Sequence, residues 1–169
     1  AGRYYLAVSG LSSADVGAYT LSTAPLAFPL ELEPNDQRAE ARGPLGKGAS
    51  RFGTANGADS DWWSVRILSD GTTFEAATGN GFGTACNTDT VLTLYAANGL
   101  TVVATDDDSG PQGCSAIATT LPRGLYFLAV DPFDVSTSGD YVLRILDLTA
   151  PAPPSEVEPN NTVGSAQAL

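Results

Sequence analysis

An all-β fold, built as a sandwich of short strands, is what this sequence predicts, and three observations predict it. Eighteen glycines and eleven prolines punctuate a chain of 169 residues, with Thr, Ser, Val and aromatics between them. That composition describes many turns joining short strands. Several segments alternate apolar and polar residues with a period of two, as half-buried strands do. Turn signals recur between them: Asn98-Gly99, Ser109-Gly110, Pro122-Arg123-Gly124 and Ser138-Gly139.

The clearest strand is 61–67, where Trp63, Val65 and Ile67 share one face and Trp62, Ser64 and Arg66 the other. The first set is expected to face the core, because successive side chains of a strand point to opposite sides. Further strands are expected over 72–78, 90–95, 101–105, 115–120, 124–130 and 141–146. Residues 126–130 are apolar on both faces, which predicts a central position in a sheet. In the last strand Tyr141, Leu143 and Ile145 are expected to turn inward, with Val142, Arg144 and Leu146 outward. Only 36–41, just after Pro34, has helical character.

The chain also resembles itself. Gly2-Arg3-Tyr4-Tyr5-Leu6-Ala7-Val8 returns as Gly124-Leu125-Tyr126-Phe127-Leu128-Ala129-Val130, and the pairs Tyr4/Tyr126 and Tyr19/Tyr141 are both 122 residues apart. Glu31-Leu32-Glu33-Pro34-Asn35-Asp36 returns as Glu156-Val157-Glu158-Pro159-Asn160-Asn161, 125 residues on. These matches predict a tandem array. Residues 1–24 read as the last strands of a preceding unit, 25–30 as a linker, and 31–148 as a complete unit. Residues 149–155 read as a Pro-rich linker and 156–169 as the start of a following unit. Proline-bearing joints of this kind form stiff, extended spacers. Residues 1–24, severed from the rest of their unit, are expected to complete a sandwich with strands of another copy, joining copies into a fibre.

Charge and rare residues narrow the function. With 19 acidic against 8 basic residues the net charge is −11, which repels nucleic acid and anionic membranes and attracts cations. No apolar run approaches the ~20 residues that span a bilayer, so no membrane insertion is expected. Any export signal is expected upstream of this sequence. Cys86 and Cys114 are the only cysteines; a single disulfide between them is the simpler reading, two buried thiols the alternative. A disulfide implies an oxidising compartment, hence an extracellular or cell-surface location. There is no histidine, so Ser-His-Asp and Cys-His catalysis are excluded. Asp108-Ser109-Gly110 matches the string of aspartic proteases only once in the complete unit, whereas those enzymes pair two carboxylates. The expectation is a protein that is not an enzyme.

Eight features in register then identify a family resemblance. They are Glu-x-Glu-Pro-Asn-Asp at 31–36, a Gly-rich stretch, Asp59-x-Asp61-Trp62-Trp63-Ser64-Val65, Asp89-Thr90-x-Leu92-x-Leu94-Tyr95, Asn98-Gly99, Asp106-Asp107-Asp108, Leu121-Pro122-x-Gly124-x-Tyr126 and Gly139-x-Tyr141-x-Leu143. In this order, over 31–146, they resemble the bacterial pre-peptidase C-terminal domain, which is similar to the collagen-binding domains of clostridial collagenases. The resemblance implies a jelly-roll-like antiparallel β-sandwich of about eight strands, without catalytic activity, found beside secreted peptidases and in large surface proteins.

It also implies a calcium site formed by Glu31, Glu33, Asn35, Asp36, Asp59 and Asp61. The chemistry is coherent: calcium takes six to eight oxygens, and alternate residues of an extended Glu31-x-Glu33-x-Asn35 project to one side. Against this stands an acidic solvated linker with Asn35 as a helix cap. A second cluster, Asp89 with Asp106, Asp107 and Asp108, offers a further cation site or is an exposed polar turn.

Two functional readings follow. The unit is a calcium-binding structural spacer or fibre subunit whose partners are neighbouring repeats and other copies. Alternatively it recognises collagen, polysaccharide or another extracellular polymer through exposed aromatics such as Trp62, Tyr95 or Phe133. A row of aromatics argues for binding.

Overall fold

A computed structural model describes residues 29–82 and 84–152, together with Val8 and Gly17. The strands expected of residues 1–24, and the start of a following unit at 156–169, lie outside the described residues. Nine strands follow a 3-10 turn at Arg38–Glu40. They are β1 (Arg42–Leu45), β2 (Ser50–Asn56), β3 (Asp61–Ile67), β4 (Thr72–Ala77), β5 (Thr90–Ala96), β6 (Val102–Asp106), β7 (Ala116–Leu121), β8 (Gly124–Pro132) and β9 (Ser138–Thr149). All seven strands expected from the sequence are present. The sequence reading missed β1 and β2, whose Gly43, Pro44 and Gly53 read as breakers rather than strand residues.

The strands form two sheets, a five-stranded one in the order β1-β3-β8-β5-β6 and a four-stranded one in the order β2-β9-β4-β7. Every pairing is antiparallel except that of β1 with β3. β8 lies in the middle of its sheet, as its two apolar faces require. The architecture is a β-sandwich.

The core fills the space between the sheets with Trp63, Val65 and Ile67 from β3, Leu92 and Leu94 from β5, and Leu128 and Val130 from β8. These meet Phe74 and Ala76 from β4 and Tyr141, Leu143 and Ile145 from β9. Burying each large apolar side chain contributes about 1.5–3 kcal/mol. The inward sets expected in β3 and β9 are all at or below 1% exposure.

The two lateral sides of the sandwich differ. On one, residues 29–36 run along the edge of β2 and across to β3: Phe52 N–H donates to Pro29 O, Glu31 N–H to Phe52 O, and Trp62 N–H to Asn35 O, at 2.8–2.9 Å. On the other, the edges of β6 and β7 lie side by side with no further strand among the described residues.

Candidate metal centre

The segment 29–36 carries the acidic motif into the seam between the sheets. It brings the Glu31 and Glu33 carboxylates to a common side, within 4.8 Å of that of Asp61. Its backbone is held from the other side by Arg42 of β1, whose guanidinium donates to Leu32 O (2.8 Å) and Pro34 O (2.9 Å). Thr54 N–H fixes Glu31 through Oε1 at 2.8 Å, and Asn35 N–H fixes Glu33 through Oε2 at 2.9 Å. Asp59 arrives on the β2–β3 turn and Asp61 as the first residue of β3.

Two sets of three carboxylates result, Glu31–Glu33–Asp61 and Glu33–Asp36–Asp59, each with ligand oxygens within 4.8 Å of one another. Glu33 belongs to both. Asp61 is 1% exposed, and Asn35, 0% exposed, sits in the same segment with neither side-chain atom hydrogen-bonded. Glu31 Oε2 and Asp61 Oδ1 are also buried, and the two carboxyls have only each other there, hydrogen-bonding when Glu31 is protonated. Leaving a buried polar atom unpaired costs ~1–3 kcal/mol, and more when it is charged. With both carboxyls ionised and the Asn35 amide unpaired, the seam is unfavourable as it stands.

The electrostatics say the same. Burial, then the charge of Asp61, pushes the Glu31 carboxyl up to about 8. Asp61 is also pushed up, chiefly by burial and partly offset by a hydrogen bond from Tyr141. Asp59 is raised by burial and by Glu33. No basic side chain forms an ion pair with any of these carboxylates among the described residues; the one ion pair there is Lys47–Asp147, at 2.7 Å.

Sequence reasoning missed three residues of this site. Tyr141 O–H donates to Asp61 Oδ2 at 2.6 Å. Burial and the Asp61 charge hold its phenol protonated, and therefore a donor. Its place in the inward set of β9 was legible, but its partner lies 80 residues away. Gly53 is the register partner of Tyr141, and a Cβ there would collide with the Tyr141 ring and approach Glu31 Oε2 to 2.5 Å. Glycine at this position makes room for both. Arg42 carried no local signal for its grip on 32 and 34.

The second acidic cluster is arranged differently. Asp89, Asp107 and Asp108 line a cleft of about 450 Å³ with Cys86, Asn87, Thr88, Gln112, Gly113 and Phe133. Asp107 is raised by burial and by its acidic neighbours. Asp106 is turned away, its Oδ2 accepting from Ser109 N–H (3.0 Å) and Ala116 N–H (2.7 Å). Burial raises its carboxyl, but these bonds outweigh that and hold it below the usual range. Among the described residues these four do not bring three ligand atoms to a common ion.

The disulfide expectation is corrected: Cys86 and Cys114 are free thiols. Both fall in loops, but Cys86 Sγ is turned to Thr88 O at 3.2 Å, and Cys114 is buried with its thiol pushed up to about 12 by burial and the adjoining Cys86.

No family model and no curated protein matches the chain. Solved structures are similar to it, among them these two. One is the pre-peptidase C-terminal domain of a collagenase from Bacillus anthracis, 16% identical, with a TM-score of 0.47 over 60% of this chain and 90% of that one. It carries the name of the domain family that the motifs of residues 31–146 resemble. The other is PliG of Aeromonas hydrophila, a periplasmic inhibitor of g-type lysozyme, 15% identical, with a TM-score of 0.42 over 59% of this chain and 86% of that one.

Proposed function

We propose that residues 31–148 form a non-catalytic, calcium-binding β-sandwich module of a secreted or cell-surface protein, acting as a structural spacer or fibre subunit. One observation carries the reading: the buried carboxyls of Glu31 and Asp61, with no basic partner, lie in one of two carboxylate triads that share Glu33, and the Asn35 amide next along the segment is buried unpaired. A hard, oxygen-seeking cation satisfies all of them at once, and a set of carboxylates and an amide without nitrogen or sulfur donors suits calcium. Glu31, Glu33, Asn35, Asp36, Asp59 and Asp61 would hold it, with Tyr141 and Arg42 fixing the carboxylate and the backbone from outside. Calcium there would tie residues 29–36 to the sandwich and set the direction in which the chain enters it.

The recognition reading has less support. The Trp62 and Tyr95 rings stack on each other, with centroids 5.0 Å apart, rather than lying side by side as a platform. Phe133 is apart from them, at the acidic cleft. Calorimetric titration of the whole chain with calcium tests the proposal. Saturable binding lost in Glu33→Gln is expected; a flat titration would overturn it.

A further inference from the structure

The four sheet edges are not guarded alike. β1 is four residues with Pro44 and a break in register, and β2 is covered by residues 29–31. β6 is also irregular in register and ends in the three carboxylates of 106–108. β7, Ala-Ile-Ala-Thr-Thr-Leu, has no charge, no proline and an unbroken register against β4 from Ala116 to Leu121. Natural proteins blunt such edges with charge, proline, bulges or a covering segment, because an unpaired row of backbone donors and acceptors recruits another strand. Three edges have one of these devices, whereas β7 has only the Asp106 carboxylate on Ala116 N–H at its first residue and, among the described residues, none from Ile117 to Leu121.

We propose that β7 is a self-association surface on which a second copy of this chain pairs antiparallel about Thr119, joining two four-stranded sheets into one of eight. The strand itself selects that occupant. An antiparallel pairing centred on Thr119 sets Ile117 against Leu121 on the core face and Ala118 against Thr120 on the outer face, with no charge opposed to charge. In a chain of net charge −11 this strand carries no charge of its own, Glu75 of β4 being the register partner of Ala118, so copies approach along it with less repulsion than strand to charged strand. The outer side chains Ala118 and Thr120 are small and exposed, so among the described residues they leave room for a flat approach. The proposal is independent of the cation site. Pairing of one edge buries less than the ~1,200 Å² of a stable interface, so the dimer is weak, with a dissociation constant on the order of 10⁻⁴ M. Added salt strengthens it by screening the net charge.

The test is sedimentation equilibrium of the whole chain in chelator over a concentration series, with hydrogen exchange of residues 116–121. A dimer that grows with concentration, and slows exchange in β7, is expected. Ala118→Lys with Thr120→Lys opposes lysine to lysine twice, and weakens association about tenfold although it lowers the overall repulsion. Ala118→Lys with Thr120→Glu keeps the net charge and opposes unlike charges, so it restores the dimer. Melting at low concentration checks that both variants fold. A monomer at every concentration would overturn the proposal. So would a dimer indifferent to both variants or one that leaves exchange in β7 unchanged.

Discussion

Two polar seams join the sheets, and they are built on opposite principles. In one, Thr78 after β4, Thr90 of β5 and Ser115 before β7 are all buried, and their hydroxyls bond one another at 2.8 and 3.1 Å. Ser115 adds its N–H to Thr78 Oγ1 at 3.2 Å and its hydroxyl to the Thr90 carbonyl. In the other, Asn35 buries both side-chain polar atoms unpaired, and Glu31 Oε2 and Asp61 Oδ1 have only each other. The first seam is neutral and closed, so its work is finished when the chain folds. The second is charged and open, and folding alone leaves it unfavourable. Burial of polar groups between sheets is therefore not what marks a site here; unsatisfied burial is.

The largest expected effect tests the closed seam. Thr90→Val removes the hydroxyl shared with Thr78 and Ser115, of which Ser115 keeps the Thr90 carbonyl, and should cost about 1–3 kcal/mol, read as a drop in melting temperature that is the same in calcium and in chelator. A drop seen in one condition only would mean that the seams are coupled. Next, Tyr141→Phe removes the donor to Asp61 and should cost about 1–2 kcal/mol. It should also weaken calcium binding in calorimetry, which a purely structural loss at Thr90 does not do.

The contrast also shows where the sequence was readable. Inward faces such as Trp63/Val65/Ile67 follow from a period of two within one strand, and turns from Gly and Pro, so seven of the nine strands were legible. The acidic residues that meet in the open seam were expected from the family resemblance that Glu-x-Glu-Pro-Asn-Asp and Asp59-x-Asp61 help to carry. Tyr141, Gly53 and Arg42 were not, because their roles arise from the β2–β9 register and from contacts across the fold. β1 and β2 were hidden by the glycines and proline that their tight approach requires. The cysteines show the converse: placing both in loops was sound, but neighbouring positions did not make a bond.

A smaller effect separates the seams by pH. Glu31 and Asp61 have folded values above their ordinary 4.5 and 3.8, so the folded metal-free chain binds more protons than the unfolded one. The stability from this is complete below the ordinary values and is lost as pH rises through the raised ones. In chelator the melting temperature should fall between about pH 5 and about pH 9, by an amount that Asp61→Asn reduces and Thr90→Val leaves alone. Calcium needs the carboxylates ionised, so its affinity should rise over the same interval.

The most direct measurement is the melting temperature of the whole chain near neutral pH in excess calcium and in EDTA, for the parent, Thr90→Val and Asp61→Asn. A ligand at a hundred times its dissociation constant adds ~2.7 kcal/mol. Calcium should therefore raise the parent and Thr90→Val by the same several degrees and leave Asp61→Asn nearly unmoved. Equal melting temperatures in calcium and EDTA for the parent, or an undiminished rise in Asp61→Asn, would contradict the account.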